Sequence, residues 1–162
     1  MRMALLRTGG NELNNGQMAL YKSQDIIFVV SAVVFNILVS VVYIATKFDL
    51  MGLLQISGFF IISLMVPFAI TLRGYLIEKA EKKVILSNSM ILLYLLLELL
   101  LDYVLKIPFR DILALHIPYI IVFYVAEFSM MSVSFNINRK AGYVVVFTFC
   151  ILIGSLAYLY LC

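Results

Sequence analysis

Met90 to Lys106 reads MILLYLLLELLLDYVLK, and how this stretch is read decides the fold. It belongs to an apolar run from about Val84 to Leu105. At 1.5 Å of rise per helical residue, such a run matches a hydrocarbon layer about 30 Å thick. Yet Glu98 and Asp102 lie inside it, where charge facing lipid is least tolerated. A membrane helix that keeps two acids must turn them toward protein or water.

The rest of the chain fits the same solvent. Hydrophobic residues make up 64% of the 162 and charged residues 13%, with mean hydropathy +1.08. A water-soluble domain needs a charged shell, so this balance belongs to the membrane class. The net charge of +3 is small and scattered, which argues against nucleic acid as a partner. Tyrosines near predicted span ends, among them Tyr43, Tyr75, Tyr103, Tyr143 and Tyr160, take the interfacial role in a chain without tryptophan.

Residues 1–24 are polar, with Gly9-Gly10 and Asn14-Asn15 as helix breakers, and read as a cytoplasmic tail. Met18 to Lys22 is expected to begin a helix at the interface. A single transmembrane domain, residues 25–162, then holds five spans of about 26–46, 50–72, 84–105, 112–135 and 143–161. Asp49 ends a tight turn between the first two, and Pro67 should kink the second. The connection Arg73 to Lys83, RGYLIEKAEKK, reads as a solvated extension of its neighbouring helices, with Glu78 and Lys82 spaced to pair on a helix. Docking of a partner or of acidic headgroups is the alternative for that segment. Pro108 stops the third span, Asp111 is the expected N-cap of the fourth, Pro118 falls in its early turns, and NINRKAG forms the last loop.

Basic residues set the orientation. Arg2, Arg7, Lys22, Arg73, Lys79, Lys82, Lys83, Arg139 and Lys140 fall on one side, against Lys47, Lys106 and Arg110 on the other. The positive-inside rule places the N-terminus in the cytoplasm and the C-terminus outside. The expected fold is an all-α bundle of five transmembrane helices, multi-pass in a cell inner or plasma membrane.

The polar residues inside the spans carry the functional reading. Tyr94, Glu98, Asp102 and Lys106 recur every four residues and should wind along one face of the third span. His116, Tyr119, Phe123 and Glu127 share a face of the fourth. A short loop makes these spans antiparallel neighbours. Asp102 and His116 then lie at a similar outer depth, with Glu98 nearer the midplane and Glu127 on its cytoplasmic side. Asn36, Ser40 and Tyr43 form a milder stripe on the first span. A ladder of acids can carry protons, a cation or a small solute, since carboxyls in low dielectric exchange protons nearer neutrality. The alternative is interhelical glue: Glu98 and Glu127 protonated and hydrogen-bonded, Asp102 reaching for Lys106, and Tyr94, Tyr119 and Asn36 packing between helices.

Other chemistries lack their machinery. Cys150 and Cys162 form no CxxC, and one histidine with distant cysteines makes no zinc site. HExxH, GxGD, Ser-Lys, Ser-His, DDxxD and glycine-rich phosphate loops are all missing from the sequence. No cofactor and no metal are expected. Gly58 and Gly154 mark close helix contacts, and Met130-Met131 flexible packing. Three functions are ranked on this basis: a transport or channel-type protein, working through a carboxylate-lined site between the third and fourth spans; an accessory or assembly subunit of a larger membrane complex; and a membrane-embedded enzyme acting on a lipid or isoprenoid, with Glu98, Asp102, His116 and Glu127 as acid–base groups. Beyond the lipid bilayer, the expected partners are further copies of the chain or a larger membrane complex.

Overall fold

A computed structural model describes residues 3–106 and 112–161, and the side chains from residue 23 onward within them. Among these residues it is helical throughout, without strands. The helices are α1 (Met3–Lys47), α2 (Met51–Ser63), α3 (Met65–Ile77), α4 (Lys82–Glu98), α5 (Leu113–Ile137) and α6 (Arg139–Leu161), and a π-helical turn, Leu99–Val104, extends α4. Five segments are long and apolar enough to cross a membrane: Ser23–Lys47, Met51–Ile77, Lys82–Val104, Leu113–Ile137 and Arg139–Leu161. The expected N-cap Asp111, with Pro108 and Arg110, lies outside the described residues.

Packing follows chain order around a ring. α1 packs on α2 and α3, α3 on α4, α4 on α5, α5 on α6, and α6 returns to α1. Polarity is distributed as lipid requires. Phe59 and Phe147 are 66% and 67% exposed, whereas Asn36, Thr71, Asn88 and Glu127 are fully buried. A bilayer solvates the outward apolar side chains, and the polar groups that water would have covered turn inward to find partners. Several hydroxyls are satisfied within their own helix: Ser31 donates to Ile27 O, Ser40 to Asn36 O and Ser155 to Ile151 O.

Local chemistry sets the breaks. Pro67 has no N–H to give to the turn before it, and the second span divides at Leu64 into α2 and α3. α1 ends where Asp49 takes a left-handed φ of 52°. There the Leu50 N–H bonds Ala45 O at 3.0 Å and the Asp49 N–H bonds Thr46 O at 3.3 Å, closing the last carbonyls. Lys79, with φ 53°, ends α3 in the same way through Ala80 N–H to Tyr75 O at 2.9 Å. Asn138 alone separates α5 from α6, and its Oδ1 accepts the Lys140 N–H at 3.0 Å.

Four expectations change. α1 is drawn from Met3, upstream of Met18 and through both breaker pairs. Glycine and asparagine lower helix propensity by about 1 kcal/mol or less each, which weakens a helix without forbidding it. The segment 73–83 does extend both neighbouring helices, to Ile77 and from Lys82, but the left-handed Lys79 between them takes Glu78 and Lys82 off any common helix. The expected loop NINRKAG shrinks to Asn138, since Asn138 caps both helices. Finally, the regular four-residue ladder of the third span gives way at Leu99 to π geometry, with the Leu105 N–H bonding Leu100 O at 2.8 Å. Lys106 follows with φ 49° and leaves the helix.

Candidate functional site

Glu127 sits near the middle of α5 and is 0% exposed. The inward face of α5 is built from Phe123, Ala126, Glu127, Met130, Val133 and Ser134, the three- and four-residue steps of a helix buried on one side. The hydrogen-bond partner of Glu127 comes from α1. Asn36 is also fully buried and meets Thr148 of α6 on its other side. The acid is therefore held at the junction of α1, α5 and α6, with Asn36 as the middle member.

The Asn36 amide fits this junction in two orientations. With Nδ2 toward the acid, it donates to both Glu127 carboxyl oxygens at 3.0 Å, and Oδ1 accepts from Thr148 Oγ1 at 3.0 Å. That arrangement suits an ionised carboxylate, which only accepts. Turned by half a rotation, Nδ2 donates to Thr148 Oγ1 at 3.0 Å and toward Val145 O at 3.4 Å. The Thr148 hydroxyl then donates to Val145 O at 2.9 Å. In this second arrangement Oδ1 faces the carboxyl and suits a protonated acid, which donates. The two orientations are alternative placements of one amide, the first suited to a charged acid and the second to a neutral one.

Glu98 belongs to a separate cluster one helix away. Tyr119 of α5 donates its hydroxyl to Glu98 Oε2. Tyr94, one turn before Glu98, lies 3.4 Å from the same oxygen and 2.9 Å from the Tyr119 hydroxyl. Phe35 meets the Tyr94 ring edge-on at 5.8 Å, and Phe123 packs against it at 5.4 Å. Those contacts fix the phenol in place. Tyr43 of α1 stands within electrostatic range of both Glu98 and Glu127.

The sequence-derived residues thus divide. Tyr94, Glu98 and Tyr119 come together between α4 and α5. Glu127 and Asn36 come together about two turns further along α5, beside Thr148. Asp102 lies in the π turn, half-buried. His116 is half-buried near the start of α5, and its Nδ1 is shielded without a hydrogen-bond partner. The sequence reading missed Thr148, a residue type common in spans. Its signal was the stripe Gly142, Val145, Thr148, Leu152 and Ser155, which is the buried face of α6. Among the described residues no group of three or more His, Cys, Asp or Glu side chains could hold a metal ion.

No family model matches the chain, and neither a curated protein nor a solved structure matches it. The reading of function therefore rests on the geometry.

Proposed function

We propose that this chain is a transport or channel-type membrane protein that handles a proton or a small cation at Glu127, with Glu98 as a second station. The observation that carries the reading is a fully buried carboxyl near the middle of α5, met by the Asn36 amide of α1, which also reaches Thr148 of α6. An ionisable group is costly to keep in a membrane span, which favours a role in handling charge over simple glue. Tyr94 and Tyr119 hydrogen-bond at Glu98 and to each other. Protonation at Glu127 would turn the Asn36 amide and pass the change to α6 through Thr148. In this reading the N-terminus is cytoplasmic, the C-terminus is outside, and the membrane is that of the cell.

Proteoliposomes with a pH-sensitive dye in the lumen provide the test. The wild-type chain should dissipate an imposed proton or cation gradient, and Glu127→Gln should remove that flux while the helical spectrum stays unchanged. Gln preserves the shape and one acceptor but cannot ionise. Flux retained in both Glu127→Gln and Glu98→Gln would sink the proposal and return the acids to interhelical glue. Recovery in fixed ratio with a larger membrane protein, with no flux from the purified chain, would point instead to an accessory subunit. Turnover of a lipid that depends on His116 would point to an enzyme.

A further inference from the structure

The second span, Met51–Ile77, has the smallest buried share of the five, so most of its surface faces outward. The break at Leu64 leaves its outer face continuous. The Leu64 N–H reaches Phe60 O at 3.2 Å and the Phe68 N–H reaches Leu64 O at 3.2 Å, so helical bonding runs through the break. Ile62, Val66, Ala69 and Arg73 recur at three- and four-residue steps along that face. With Met65 and Ile70 they line an open groove of about 610 Å³. Ser63 is the one other polar residue on its wall, and its hydroxyl is spent on Phe59 O at 2.9 Å. What remains is an apolar trough with a single cation at one end.

Its dimensions and charge say what fits. Ile62 and Arg73 are separated by roughly 16 Å of helix, half of a hydrocarbon layer about 30 Å thick, which is the depth of one leaflet. Arg73 stands about 6 Å inside the end of the span at Ile77, within reach of headgroup level for a long side chain. It is exposed, and among the described residues nothing pairs with its guanidinium. An unpaired charge at the edge of hydrocarbon is costly, and an anion that brings its own apolar tail relieves that cost. Lys79, Lys82 and Lys83 are exposed at the same end of the bundle and add to the attraction for an anion. A second copy of the chain fits less well. Packed groove to groove about a two-fold axis along the membrane normal, it would set Arg73 against Arg73.

We propose that this groove binds one anionic phospholipid, with an acyl chain along Val66 and Ala69 and the phosphate on Arg73. The planar fork of arginine gives a phosphate two parallel N–H bonds, which lysine cannot match. The site lies on α2 and α3, neither of which carries Glu98 or Glu127, and it does not depend on the flux reading.

Native mass spectrometry of the full chain in mild detergent provides the test, with phosphatidylglycerol and phosphatidylcholine of identical acyl chains offered together. The wild type should retain one phosphatidylglycerol with at least tenfold preference. Arg73→Gln should lose that preference with the helical spectrum unchanged, and Arg73→Lys should keep part of it. Ala69→Leu should weaken retention by filling the groove while the charge stays. Lys82→Gln combined with Lys83→Gln should leave most of the preference, which separates this site from a general attraction to a basic end. A phosphatidylglycerol with a photoreactive acyl chain should label Met65, Val66 or Ala69. Glu127→Gln should retain the lipid as the wild type does, so lipid binding and flux can fail separately. The proposal is overturned if the wild type does not discriminate between the two lipids, if Arg73→Gln discriminates as well as the wild type, or if the label spreads evenly over the five spans. A dimer that shuts the label out of these residues gives the groove to a second copy and overturns it as well.

Discussion

Asn36 is the residue on which the buried acid depends. From α1, its amide reaches both Glu127 of α5 and Thr148 of α6. Asn36→Leu keeps the approximate volume but removes those hydrogen bonds and leaves a carboxyl in the dry interior. Leaving such a group unsatisfied should cost about 1–3 kcal/mol, and thermal unfolding in detergent should report it. Asn36→Leu with Glu127→Leu should recover most of the loss, because replacing both partners by apolar groups removes the unmet demand. The acids were legible in the sequence because ionisable residues in spans are rare and their spacing is countable. Their partners were not. Periodicity places Glu127 on the same face as Phe123, but the neighbour that faces it depends on helix order, which no spacing within one helix contains.

At the scale of elements, the helix endings offer the clearest stability changes. Asp49 holds a left-handed backbone with a side chain that makes this conformation unfavourable. Asp49→Gly should stabilise the first hairpin by about 0.5–1 kcal/mol, seen as a higher unfolding temperature. Gly142 behaves in the opposite sense. A methyl group there meets the Phe135 ring itself, which packs edge-on against Tyr143 at 5.5 Å. Gly142→Ala should lower the unfolding temperature, whereas Gly58→Ala should do little, since its nearest obstacle is the tip of the Tyr103 side chain. The number and rough extent of the spans were readable from hydropathy, and so was the break at Pro67. The π turn was not, because its wider step leaves no mark in a run of leucines.

For the whole molecule, orientation has a direct test. On a background with Cys150 and Cys162 replaced, Asp49→Cys should react with a membrane-impermeant maleimide on intact cells. Lys83→Cys should react only after permeabilisation. The reverse pattern would invert the topology. The ring order itself has a consequence for how the protein is made. Five spans wound in sequence leave the first and last as the one parallel pair of neighbours, joined by Asn36 to Thr148 across 112 residues of chain and by Lys47 Nζ to Tyr158 O at 2.8 Å. That seam cannot close until α6 has been synthesised. A nascent chain arrested before residue 148 has Asn36 and Glu127 in the bilayer but not the third member that finishes their hydrogen bonding. Until α6 arrives, the chain carries that unfinished polar cluster in an apolar medium, where unmet hydrogen bonds are costly.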